Sequence, residues 1–176
     1  MKGIIVYKGK YGATRQYAQW LGVALRLPVA DAGNTSREKL ADFDFVIMGT
    51  SVYIGKLQLA KWLRNNFQVL QNKKLFLFVV CSTPATEKEK LDAYLNLGLP
   101  GEIRNLCDIH VLPGKVIKSK LSWLDRFMLK LGARLTKDPI QKNVMLTDYN
   151  HVKKENITGL TNAVQIFMDQ ATAYSR

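Results

Sequence analysis

Five short apolar runs recur along the chain, at residues 3–8, 27–30, 43–48, 75–80 and 109–112, and patterns of helical period fill most of the gaps between them. The runs lack the apolar–polar alternation of a strand with one wet face. Strands of a parallel sheet read this way, because helices cover both faces and each side chain is buried whichever way it points. The helical patterns are Thr14–Leu25, with Tyr17, Ala18, Leu21, Ala24 and Leu25 in phase; Leu57, Ala60 and Lys61 continuing into Leu63–Leu70; and Lys88–Leu97. A last helix is expected from about Tyr149 to Ala173, with Val152, Ile157, Leu160, Val164, Phe167 and Met168 on one side. Strand and helix alternating to this extent predict an α/β fold: a doubly wound five-stranded parallel sheet with helices on both faces. At 176 residues, the chain suits one domain with its own core.

The interval from Pro113 to Asn143 breaks the pattern. Connections in such folds usually take about 2–6 residues, so residues 113–143 are expected to form an insertion with structure of their own. Leu121, Leu124, Phe127, Met128, Leu131 and Leu135 make an apolar stripe there, and Arg126, Lys130 and Arg134 are expected together on the opposite side at four-residue intervals. The insertion therefore contains a cationic amphipathic helix, bounded by Pro113, Gly114 and Pro139. Asp125 is expected to pair with a neighbouring Lys or Arg.

Charge narrows the partners. The formal net charge is +12, which favours anionic partners such as phosphate, a carboxylated ligand or lipid head groups. Nucleic acid is disfavoured, because aromatic residues do not interleave with the cations in the pattern of a single-strand binding platform and no helix-turn-helix or zinc-finger spacing occurs. For the insertion helix, contact with substrate or with an anionic membrane surface is expected through Arg126, Lys130 and Arg134. Packing on its own domain is the ordinary alternative. The amino terminus lacks the pattern of a signal peptide, and no apolar stretch approaches the roughly 20 residues of a spanning helix. A cytoplasmic protein is expected, with peripheral contact at the inner face of the membrane. Cys81 and Cys107 are far apart and show no ligand spacing, which argues against a metal site or a disulfide framework.

Candidate ligand residues cluster after three of the runs. The first ends in Lys8, Gly9, Lys10, Tyr11, Gly12, Ala13 and Thr14 before a helix begins. Backbone N–H groups and the helix dipole converge there on a space suited to phosphate. A purely structural turn with a Thr cap is the competing account. The third run leads to Thr50, Ser51, Val52, Tyr53, Ile54 and Gly55, a loop fit to wall a flat ring, with Tyr53 stacking on it and Gly55 free to take a positive φ. The fourth leads to Ser82, Thr83 and Pro84, which add polar backbone groups. Parallel strands present their carboxyl ends on one edge, so the three segments should meet. His110 and His151 are expected to be structural, the first in the fifth strand and the second in the last helix. No nucleophile–base pair and no carboxylate dyad point to hydrolysis.

These residues carry a resemblance. The pattern Tyr7, Gly12, Thr14, the segment Gly49, Ser51 and Gly55, the string Leu124 to Leu131 and the later Thr147, Asp148, Tyr149 resemble the flavodoxin superfamily, and within it the menaquinone-dependent protoporphyrinogen IX dehydrogenase family. The string Asp125, Arg126, Phe127, Met128 discriminates most. The resemblance implies FMN as cofactor, with the chemistry on FMN rather than on a catalytic side chain. It also implies a carboxylated porphyrinogen as donor and a membrane quinone as acceptor. That family usually places hydroxyl residues where this chain has Lys8 and Gly9; their loss removes phosphate hydrogen bonds worth about 1.5–3 kcal/mol each when charge-assisted. Backbone donors and the ammonium of Lys8 or Lys10 stand in their place. Two other functions share the fold: a non-enzymatic FMN electron carrier, and a basic binding module without the cofactor. The sequence sets no oligomeric state.

Overall fold

Apolar runs with no polar face must be covered on both sides, and the chain does this by interleaving strands and helices. In the computed structural model, which describes residues 1–84 and 86–173, β1 (Gly3–Lys8) turns into α1 (Ala13–Leu25), and β2 (Val29–Asp31) precedes α2 (Arg37–Ala41). β3 (Phe45–Tyr53) folds back as β4 (Lys56–Leu57) before α3 (Ala60–Leu70), and β5 (Lys74–Cys81) leads to α4 (Lys88–Gly98) and α5 (Gly101–Leu106). β6 (Cys107–Pro113) and β7 (Lys115–Val116) precede α6 (Trp123–Leu135) and α7 (Pro139–Leu146); β8 (Tyr149–Asn150) precedes α8 (Thr158–Ala173). Residues 85 and 174–176, which the single-domain expectation spans, lie outside the described residues.

The principal strands are all parallel, in the order β2-β1-β3-β5-β6. The chain moves outward from β1 to β2 and then crosses back to β3, so the topological switch point lies between β1 and β3. Neighbouring residues of one strand feed opposite layers. Ile4, Val6, Val46 and Met48 pack with Leu40, Leu63, Leu70, Leu95 and Ile103, from α2 to α5. Ile5, Phe45, Ile47, Phe76 and Phe78 pack with Tyr17, Leu21, Leu160 and Val164, from α1 and α8. Phe45, Phe76 and Phe167 meet edge to face, with centroids 5.6–6.4 Å apart. The doubly wound α/β expectation is therefore met.

Several boundaries differ from the expected ones. The third strand does not stop at Met48. Gly49, Thr50 and Ser51 still pair with β5, and Val52 and Tyr53 pair with β4. Small residues hid this continuation, since glycine and serine are weak strand formers. Gly49 is required by packing, as a Cβ there would lie 2.2 Å from the Phe78 ring. Ile54 (φ 48°) and Gly55 (φ 70°) form the two-residue turn of the β3–β4 hairpin, the primed geometry that suits strand twist. Leu57 belongs to β4 rather than to the following helix. The second strand is shifted to Val29–Asp31, the fifth principal strand begins at Cys107, and α5 had no expected counterpart. The last helix starts only at Thr158, although Val152 and Ile157 ahead of it are buried in the same core. His151 thus lies after β8 and stacks on Tyr149 at 5.3 Å. His110 does lie in β6, with Nε2 3.2 Å from Asp108 Oδ1.

The insertion is wider than 113–143, because α7 runs on to Leu146. It leaves and returns through one stem, in which β7 and β8 pair antiparallel, Lys115 with Asn150 and Val116 with Tyr149. Asp148 Oδ1 accepts from the Lys118 backbone N–H at 3.1 Å and the Tyr149 hydroxyl donates to Ser82. Those bonds explain the Asp-Tyr pair that the sequence displays there.

Candidate functional site: a cavity beneath the insertion

The turn between β1 and α1 leaves the helix N-terminus without a side-chain cap. Gly12, at φ 83°, is the N-cap of α1; no side chain caps the first turn and no acid lies in it. First-turn N–H groups left by such a cap take an external acceptor, and the dipole favours a negative one. Thr14 is buried, with its hydroxyl turned toward Gly9: a Cβ at residue 9 would lie 2.4 Å from Thr14 Oγ1 and 2.7 Å from Thr14 Cβ. The absent hydroxyl at this position is therefore a packing requirement. A phosphate monoester such as that of FMN fits this turn through backbone donors.

Above the turn lies a cavity of about 420 Å³, within the usual range of a ligand pocket, lined from the sheet side by Lys10, Tyr11, Ala13, Thr14, Ser51, Val52, Tyr53, Ile54 and Ser82. The switch-point loops do converge, as parallel topology requires. What composition did not reveal is the roof. Leu121, Asp125, Met128, Leu129, Gly132 and Met145 close the cavity from the insertion, and Gly114, Lys115 and Val116 from its stem. The sequence signals for it were the unusual length of the interval after β6 and the Asp125, Arg126, Phe127, Met128 string within it.

One buried carboxylate fastens the roof. Asp125, 6% exposed, accepts hydrogen bonds from Lys10 Nζ at 2.8 Å and from the hydroxyls of Tyr11 and Tyr53. Ser122 caps α6 by accepting from the Asp125 backbone N–H at 3.2 Å, which orients that first turn. Asp125 thus does pair with a lysine, but with one far off in sequence, in the turn between β1 and α1. Its bond to Lys10, and then the Tyr53 hydroxyl, hold the lysine pKa above its ordinary 10.5. Lys10 therefore stays protonated at neutral pH.

Other expected site residues have different duties. Lys8 Nζ points to Asp31 Oδ1, 3.7 Å away, and is not on the cavity wall. Gly9 and Gly12 shape the turn rather than line the cavity. Thr50 is fully buried and its hydroxyl accepts from the Leu59 N–H at 3.1 Å, so it terminates an internal bond network. Gly55 has the positive φ expected of it, but the hairpin turn accounts for that. Thr83 and Pro84 line a second cavity of about 660 Å³, which shares Cys81, Ser82 and Gly114 with the first and adds Tyr149, His151, Lys153 and Asn156. Burial raises the thiol pKa of Cys81, so this wall residue is a neutral thiol at physiological pH and no nucleophile. Arg126, Lys130 and Arg134 are exposed and absent from both cavity walls.

Residues 4–143 match the sequence profile of the flavodoxin domain family. Solved structures similar to the chain include a flavodoxin from the domain Archaea (16% identity, 68% of this chain and 88% of that one, TM-score 0.44). Flavodoxin 1 from Bacillus cereus (13% identity, 68% and 89%, TM-score 0.44) and a Streptococcus pneumonia flavodoxin (16% identity, 76% and 99%, TM-score 0.43) are also similar. No curated protein matches the sequence. With the family profile covering well over half of its residues, from β1 into α7, the chain belongs to the flavodoxin domain family.

Proposed function

We propose that this protein is an FMN-dependent oxidoreductase, passing electrons from a porphyrinogen-type donor to a quinone at the cytoplasmic face of a membrane. The observation that carries this reading is the roof. A carrier that serves another protein needs its redox group at an open docking face, whereas α6 and α7 here stand over the cavity and leave a recess of small-molecule size. When bound, FMN supplies the electron-transfer chemistry.

The chain's own residues hold and tune. The first turn of α1 takes the phosphate, while Val52, Tyr53 and Ile54 offer an apolar wall to the ring. The cavity wall carries Lys10 and Lys115 against Asp125, a net positive surround that favours the more negative reduced form. The adjoining cavity holds Lys153 and His151, donors suited to a carboxylated substrate. Anaerobic turnover of protoporphyrinogen with menadione, followed by porphyrin fluorescence on protein reconstituted with FMN, tests the proposal. Turnover well above that of free FMN is expected. Flavin binding without turnover would leave only an electron carrier.

A further inference from the structure

The insertion helix α6 has two faces with opposite surroundings. Asp125, Leu129, Gly132 and Ala133 face inward. Trp123 (75% exposed), Leu124, Phe127 (56%), Leu131 and Leu135 (75%) present a large apolar surface to solvent. An amphipathic helix that only packs on its own domain hides these residues, and this one does not. Contiguous exposed apolar surface of this kind marks an interaction site.

Arg126, Lys130 and Arg134 do not lie opposite that surface, as expected, but form a row along its Trp123–Phe127 edge, given the 100° helical step. The helix has one acid, Asp125, and the latch consumes it. The outward side of α6 is therefore apolar and cationic with no negative charge, the composition of a helix that lies in a lipid interface. A second copy of this chain suits it less well, since pairing two such helices side by side sets their cationic rows against each other. With 13 residues, α6 extends about 20 Å at 1.5 Å per residue, too short to cross a bilayer but long enough to lie along one. No helix among the described residues is long and apolar enough to cross a membrane.

We infer that α6 docks flat on an anionic phospholipid bilayer, with Trp123, Leu124, Phe127, Leu131 and Leu135 among the lipid chains and Arg126, Lys130 and Arg134 on the phosphates. The opposite side of the same helix roofs the cavity, so docking sets the cavity about one helix diameter, roughly 10 Å, from the lipid. The inference does not depend on flavin binding or on turnover.

Flotation of the full chain, without added flavin, on vesicles of phosphatidylcholine alone and of phosphatidylcholine mixed with phosphatidylglycerol tests it. Binding is expected on the mixed vesicles, and brominated lipid should quench emission that Trp123→Phe removes. Because each basic residue adds about a fivefold preference near an anionic surface, the triple variant Arg126→Gln, Lys130→Gln, Arg134→Gln should bind roughly 100-fold more weakly. Phe127→Ser with Leu131→Ser should also release the protein, while unfolding at the wild-type temperature, since both side chains point outward. Equal flotation of wild type and the triple variant would overturn the inference. So would a dimer in solution that shields α6 from hydrogen exchange and leaves no lipid binding.

Discussion

Replacing Asp125 by Asn should free the insertion without unfolding the sheet. The carboxylate accepts from Lys10, Tyr11 and Tyr53, and hydrogen bonds to a charged group are worth about 1.5–3 kcal/mol each. Lys10 keeps 37% of its side chain exposed, so its share falls toward the surface value of roughly 1 kcal/mol or less. Asn keeps one acceptor oxygen and loses both the charge and the second oxygen. A net loss of about 2 kcal/mol follows, close to a 30-fold change in the local opening equilibrium. Amides of α6 should then exchange with deuterium about 30-fold faster, while those of β1, β3 and β5 keep wild-type protection, because local opening need not involve the core. Unchanged exchange in α6 would show that the latch does not hold the roof. Equal acceleration in α6 and the core strands would show that the insertion is not a separately opening unit.

Gly9→Ser should lower stability by about 1–3 kcal/mol through overpacking against Thr14, seen as a loss of about 2–4 °C in Tm per kcal/mol; an unchanged Tm would mean that the turn can yield. Burial holds the Cys107 thiol at a pKa of about 12, against an ordinary 9.0, so its alkylation by iodoacetamide near neutral pH should be roughly a thousandfold slower than that of a free thiol. The unfolded thiol ionises first, so this contribution to stability is complete below pH 9.0 and declines as pH rises toward about 12. Redox titration of the FMN complex should give a midpoint above that of free FMN; a midpoint at or below it would count against a cationic surround.

The architecture was legible because strands buried on both faces leave uninterrupted apolar runs, and Ile4, Ile5 and Val6 do enter opposite layers of the core. The turn from β1 into α1 was legible because Gly12 and Thr14 obey local rules. Two features escaped. β3 was cut short since Gly49 ends the apolar run, whereas the pairing of Gly49 and Thr50 is imposed by β1 and β5 on either side and that of Ser51 by β5. The latch was invisible because Lys10 and Asp125 are distant in sequence and meet only through the insertion's stem. The amphipathic helix was read correctly as a helix. Its stripe left membrane contact and packing on its own domain both open, because periodicity fixes which residues share a face and not what that face meets.

The central claim is that the cavity holds a phosphorylated flavin by its phosphate. Fluorescence titration of the full chain with FMN and, in parallel, with riboflavin isolates that group. The account predicts saturable quenching of FMN at one equivalent and much weaker quenching of riboflavin, which has no anion for the first turn of α1. Equal affinity for the two, or no quenching of either, would contradict it.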